Sequence, residues 1–210
     1  MARLFTDQQP ADTLCQIASQ FYQRGWMAGT AGNLSLRDNS DDDCFWLTSS
    51  GKPKGQLEPT DIILMPVNGN KAIDTFASGN RPSAETSIHQ TIYRHFPEAR
   101  ACFHVHSVEA LIATEKHAKN CSAMTLPNIE MIKGFDIWQQ TPDISLPVFE
   151  NHQQVPDIAL EISRYYENTP PQIDAFMIRH HGITVWGKDA QTTFNRVEII
   201  EFILKYMALI

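Results

Sequence analysis

The sequence predicts an α/β or α+β domain in which helices cover a central sheet containing antiparallel strands. Apolar residues recur at helical spacing near both ends of the chain. Between Thr30 and Val67 they fall instead into short β-prone runs separated by Gly-, Asp- and Pro-rich turns. Helices and strands also fail to alternate in the strict βαβ rhythm of a wholly parallel sheet.

In chain order, Met1 to Pro10 carry no periodic pattern and read as a loose terminus, leaving residues 11–210 as one domain. Leu14, Ile17, Ala18 and Phe21 then mark an amphipathic helix, with Asp12 as its N-cap and Gly25 as its stop. Strands follow at Asn33 to Arg37, Cys44 to Thr48 and Ile62 to Met65. The Gly-, Asn-, Asp- and Ser-rich stretch from Asn68 to Pro82 reads as a hairpin turn and a loop. Glu85, Ile88, Ile92 and Phe96 mark a second helix ending at Pro97, and Ala99 to Val105 is a strand. Ser107 caps a helix running to about His117, and another helix lies near Asp157 to Tyr166. Ala175 to Arg179 and Ile183 to Trp186 are strands. In a long closing helix Phe194, Val197, Ile200, Ile203 and Leu204 line one face, while Arg196, Glu198 and Glu201 fall elsewhere.

At 210 residues, with 42% hydrophobic and 20% charged residues, the chain can bury a core of its own without disulfide staples. The formal net charge of -7 excludes a general nucleic-acid binder, which needs a basic face. No apolar run approaches the roughly 20 residues that span a bilayer, because Glu198, Glu201 and Lys205 interrupt the C-terminal stretch. Cys15, Cys44, Cys102 and Cys121 lack C-x-x-C spacing and follow no signal peptide, so they read as reduced thiols of a cytoplasmic protein. Any bound metal is then not held by cysteine.

The chemistry concentrates in histidine. In Phe103-His104-Val105-His106-Ser107 the two histidines are one residue apart, so on a strand both rings project from the same face, with Cα atoms roughly 7 Å apart. Two such nitrogens converge on one ion, and catalytic zinc sites commonly use three protein ligands with a position left open. The third comes from His180-His181-Gly182, where the glycine permits a sharp backbone turn and either histidine can approach; His181 is preferred. An isolated histidine pair is ordinarily no ligand at all, and only the second cluster at another strand end raises this one above that. His89, His95, His117 and His152 have no partner at ligand spacing and read as surface residues.

Two turns offer donors to an anion. Gly29-Thr30-Ala31-Gly32-Asn33-Leu34-Ser35 brackets a helix-to-strand turn, and Thr48-Ser49-Ser50-Gly51-Lys52-Pro53-Lys54 adds hydroxyls and two positive charges. Glu85 and Glu130 are the carboxylates available for proton transfer beside a metal-bound carbonyl. Glu85 also suits a first-turn helix position and Glu130 a plain loop charge, and spacing does not choose between them.

Taken together, these segments resemble the class II aldolase/adducin family over nearly the whole chain. The resemblance rests on the two turns above, on Pro82-Ser83-Ala84-Glu85, His104-Val105-His106-Ser107 and Glu130-Met131-Ile132-Lys133-Gly134, and on His181-Gly182-Ile183-Thr184-Val185-Trp186-Gly187. It implies a three-layer αβα domain with a largely antiparallel sheet, assembled as a homotetramer. One zinc per subunit is implied on His104, His106 and His181, with His180 a neighbour. Phosphate contacts are implied at Gly32, Asn33, Ser50, Gly51 and Ser83. Ala84 stands where the family's aldolases commonly have serine, and with the Met-Ile-Lys-Gly segment it turns the resemblance toward the dehydratase branch. There Glu130 is implied as the acid/base, ahead of Glu85, and the implied reaction is loss of water from 5-methylthioribulose 1-phosphate in methionine salvage. A metal-dependent sugar-phosphate aldolase or epimerase is the alternative on the same scaffold, and a non-catalytic adducin-like module, for which the histidines would be dispensable, is the alternative outside enzymes.

Overall fold

A computed structural model describes residues 5, 9–75 and 79–210, apart from the side chains of residues 74 and 75. Among the described residues there are five α-helices, α1 (Pro10–Gln23), α2 (Thr86–His95), α3 (Val108–His117), α4 (Val155–Tyr166) and α5 (Ala190–Leu209). The strands are β1 (Asn33–Arg37), β2 (Cys44–Thr48), β3 (Ile62–Pro66), β4 (Asp74–Thr75), β5 (Ala101–Val105), β6 (Ala123–Thr125), β7 (Ser145–Phe149), β8 (Ala175–Ile178) and β9 (Gly182–Gly187). They form one sheet in the order β4-β3-β2-β1-β5-β9-β8-β7-β6. Every neighbouring pair is antiparallel except β7 and β8.

The sheet is covered on both faces, and two apolar clusters record the two layers. On one side α1, α3 and α5 bury Leu14, Ile17, Phe21, Ala110, Phe194, Val197 and Ile200 against Leu34, Phe103, Val105 and Val185. On the other, α2 and α4 bury Ile88, Ile92, Ile158 and Ile162 against Phe45, Ile63, Cys102, Phe176 and Trp186. Period-two alternation along β5 sends Phe103 to one layer and Cys102 to the other, so each central strand is buried on both faces. This is the three-layer αβα arrangement.

Several expectations need correction. The loose terminus lies mostly outside the described residues, but α1 begins at Pro10 itself, and Phe5 packs its ring 5.4 Å from Phe194. Asp12 is a first-turn residue and not the N-cap, which is Gln9; its carboxylate still complements the helix dipole. The segment from Asn68 to Pro82 contains the two-residue strand β4, paired with β3. Strands β6 and β7 and the 3-10 helix Glu130–Phe135 carry no clear sequence signal, because short runs interrupted by Pro127, Gly134 and Pro147 show neither period. Glu201 is only 2% exposed, because α5 packs against α3 as well as the sheet, and burial pushes its carboxyl up to about 7. By contrast Ser107 does cap α3, accepting from Ala110 N at 3.0 Å.

No helix among the described residues is long and apolar enough to cross a membrane.

Candidate metal centre and its surroundings

The C-terminal end of β5 delivers the first histidines. His104, on the same face of β5 as Cys102, turns toward the α2 side of the sheet and is fully buried. His106 lies one residue beyond the strand, where its N–H donates to Trp26 O at 2.8 Å. The two Nε2 atoms stand 2.8 Å apart. His181 arrives from the turn joining β8 to β9, its ring centroid 5.0 Å from that of His104 and 4.7 Å from that of His106. The three rings are nearly perpendicular to one another, at 81°, 86° and 90°.

Two backbone features permit this convergence. The sharp turn expected at Gly182 falls on His180, whose φ of 53° is left-handed and whose ring faces outward, 3.3 Å from Glu115. Gly182 is needed for close approach instead: a Cβ there would sit 2.3 Å from Val105 O and 2.8 Å from His106 Cδ2.

Glu85, the N-cap of α2, completes the group. Its Oε1 is 2.7 Å from His181 Nε2 and its Oε2 3.8 Å from His104 Nε2. Ligand atoms of Glu85, His104, His106 and His181 all lie within 4.8 Å of one another. Oε2 also accepts from Asn33 Nδ2, which is 3.2 Å from Ser83 Oγ as well. Ser83 Oγ in turn accepts from the Glu85 N–H at 3.2 Å. Burial alone would raise the Glu85 pKa, but the neighbouring His104, His181 and Asn33 outweigh it and hold the carboxyl well below the usual carboxylate range.

The donor set fits a divalent cation. Burial pushes His104 well below its ordinary pKa and His106 down to about 4, so both rings are neutral near pH 7 and offer lone pairs. Thr184, directly opposite His104 in the β5–β9 register, meets its Nδ1 at 2.9 Å and turns Nε2 inward. Two facing Nε2 atoms at 2.8 Å share one proton at most, the position a cation takes over. His106 and His181 line a cleft of about 520 Å³ with Ala28, Ala31, Leu111 and Asn151, so the group is reachable from solvent.

The residues named for phosphate divide in two. Asn33 and Ser83 are brought directly to Glu85, as described. Ser50 and Gly51 are exposed on the turn after β2, and the Ser50 N–H is spent on Arg81 O at 2.9 Å, which ties that turn to the segment carrying Ser83 and Glu85. Gly32 is buried, and a Cβ there would lie 2.8 Å from His104 O, so its glycine lets the start of β1 approach the histidine strand. Glu130 is not among the converging atoms. Its side chain is 82% exposed on the 3-10 helix, 2.8 Å from Lys133 Nζ, where it borders a groove with Ile132, Trp138 and Pro142.

His89 corrects the sequence reading outright. Far from being a surface residue, it is fully buried, with Nδ1 2.7 Å from Ser35 Oγ and Nε2 bonded to Asn33 Oδ1. Burial lowers its pKa to about 4. The neutral ring therefore donates from Nε2 to the amide oxygen, which directs the Asn33 Nδ2 group at Glu85. A signal existed: His89 follows Glu85 by four residues on one helix face, and Asn33 and Ser35 are two apart on one strand. Thr184 had none, since only the register opposes it to His104.

The profile of the "Class II Aldolase and Adducin N-terminal domain" matches residues 12–208. The chain belongs to this family. Among its relatives is a methylthioribulose-1-phosphate dehydratase of Microcystis aeruginosa, 48% identical over 198 residues, which cover 94% of each chain. A protein of the same name from Leptospira biflexa is 40% identical over 93% of this chain and 94% of its own. Among solved structures, YgbL of Klebsiella pneumoniae, described as a putative aldolase/epimerase/decarboxylase, superposes with a TM-score of 0.77 at 25% identity, covering 96% of this chain and 89% of its own. An L-fuculose 1-phosphate aldolase superposes with a TM-score of 0.76 at 22% identity over 99% of this chain and 87% of its own, a likeness of fold. Family and cluster agree on a divalent-metal site.

Proposed function

We propose that the chain converts 5-methylthioribulose 1-phosphate to 2,3-diketo-5-methylthiopentyl 1-phosphate, a dehydration in methionine salvage. The observation that carries the reading is the convergence of His104, His106, His181 and Glu85 at the end of β5, in a chain 48% identical to a relative named for this reaction. His104, His106 and His181 are the metal ligands in this account. Zinc is the metal it names, since three imidazole ligands suit it and leave a position open. When bound, it supplies Lewis-acid polarisation of the substrate carbonyl.

Proton transfer falls to Glu130. Both Glu85 oxygens are engaged, one by His181 and the other by Asn33, so its carboxylate serves as a fixed negative charge within the site. Among the described residues Glu130 bonds Lys133 alone and its side chain is 82% exposed, so no buried contact has to break for it to act. It takes the C3 proton and returns a proton to the C4 hydroxyl, which leaves as water. The resulting enol tautomerises to the diketone, and no carbon–carbon bond breaks. The phosphate is seated by Gly32, Asn33, Ser50, Gly51 and Ser83.

The assembly in this reading is a cytoplasmic homotetramer of single-domain subunits. Exposed Val108 and Ile112 on α3 and Phe202, Tyr206 and Leu209 on α5 support burial between copies. Aldol cleavage or epimerisation on the same scaffold is the second reading, favoured by the likeness to YgbL. Product analysis of the metal-loaded protein separates the two, because cleavage yields a shorter phosphorylated fragment and epimerisation an isomer of unchanged mass, whereas dehydration removes one water.

A further inference from the structure

The turn after β2 hides a cation. Lys54 is 1% exposed, and its Nζ donates to Ser49 O and to Lys52 O, each at 3.3 Å. Its own N–H donates to Gly29 O at 3.2 Å, so the residue joins the two turns that flank the Asn33 and Ser50 positions. Among the described residues no carboxylate lies within 4 Å of this ammonium, whereas its neighbour Lys52 is paired with Asp61 at 2.7 Å. Glu85 and Asp61 act on Lys54 only through space. Burial lowers its pKa, as it does for any desolvated ammonium that lacks a contact anion.

An ammonium held on two carbonyls and left without a counter-ion is costly to bury. The fold retains this one directly beneath the turn whose outer surface carries Ser50 and Gly51. Arg81, a further cation bordering that turn through its backbone, is exposed and screened by solvent. Beneath the turn the dielectric is low, and a single positive charge there attracts an anion seated above it more strongly than a surface lysine does.

We propose that Lys54 is the buried counter-charge of the phosphate seat, a positioning residue that makes the site select phosphorylated over unphosphorylated sugars. The proposal rests on the reading of this turn as part of that seat. Lys54 touches neither the reacting carbons nor the histidines; it holds the turn in shape through Ser49 O and Lys52 O and supplies charge across it.

Two variants separate shape from charge. Lys54→Gln keeps a donor for the carbonyls and removes the charge, and Lys54→Met removes both. Inorganic phosphate titrated calorimetrically into the zinc-loaded full chain is expected to bind at least about tenfold more weakly in both, with zinc content unchanged. Melting of Lys54→Gln should stay near wild type. With the phosphorylated substrate, KM should rise by a similar factor while kcat changes little. Phosphate binding by Lys54→Gln equal to wild type overturns the inference and leaves the dehydratase reading intact. Failure of Lys54→Gln to fold also overturns it, assigning Lys54 to the architecture of the turn. Absence of phosphate binding in the wild-type protein removes the phosphate seat itself, a result distinct from either.

Discussion

Glu85 Oε1 stands 2.7 Å from His181 Nε2, although one residue caps a helix on the α2 layer and the other ends a turn nearly a hundred positions later. The contact places the carboxylate among the histidines of the candidate metal site. In the proposed reading it also keeps Glu85 from the proton transfer given to Glu130. Glu85→Gln keeps the shape and loses the charge, so zinc affinity should fall by roughly 10–100-fold. Competition with a chromophoric chelator measures this, and an affinity equal to wild type would detach Glu85 from the site.

Glu130→Gln should behave oppositely. Its side chain is 82% exposed and among the described residues bonds Lys133 alone, so folding and zinc content should be unchanged while kcat falls by about 10²–10⁴-fold. Steady-state kinetics with metal analysis decides it. Unimpaired turnover would return the proton-transfer role to Glu85.

Behind the metal centre, His89 fixes Asn33. Replacing it with Phe leaves Asn33 Oδ1 without its buried donor, while Ser35 Oγ keeps Tyr93 OH and Cys102 O, a loss of about 1–3 kcal/mol in denaturant unfolding. His89→Gln, which can still donate to the amide oxygen, should recover part of both stability and activity. Equal losses in the two variants would show that Asn33 orientation is not what His89 provides.

Acid should destabilise the metal-free protein. His89 and His106 have folded pKa values lowered to about 4, against 6.5 when unperturbed, so the unfolded chain binds more protons between those limits. Stability contributed by these residues is complete above about 6.5 and is lost as pH falls toward 4. Thermal melts of chelator-treated protein across that window should show Tm dropping steadily. A flat profile would contradict the neutral buried rings.

Gly182→Ala tests the approach of β9 to β5. Its methyl group would lie 2.3 Å from Val105 O, which is backbone and cannot swing aside. Destabilisation of about 1–3 kcal/mol is expected, together with weaker zinc binding, since His106 Cδ2 must also shift. Chemical denaturation and metal titration report the two effects separately.

Much of the fold is legible in the sequence wherever one period dominates. The apolar stripe of α1, the β1 to β3 runs and the Ser107 cap all announce themselves locally. His-x-His on a strand puts two imidazoles on one face by spacing alone. What escapes depends on contacts between distant segments. His89 reads as solvent-facing because the Ile88 and Ile92 stripe defines the helix face, yet Ser35 and Asn33 of β1 meet its ring, and Pro66 O and Gly69 O take the neighbouring Gln90 amide, so both are buried too. Glu201 is buried off the apolar stripe for a related reason, since α5 has α3 as well as the sheet against it. Thr184 becomes the partner of His104 through register alone.

The central claim is tested most directly by incubating the zinc-loaded protein with 5-methylthioribulose 1-phosphate and identifying the product by mass spectrometry and phosphorus NMR. The account predicts a single phosphorylated product lighter by one water, the 2,3-diketone, which disappears as a product when His181→Ala removes a ligand. A shorter phosphorylated fragment, an isomer of unchanged mass, or full turnover in His181→Ala would contradict it.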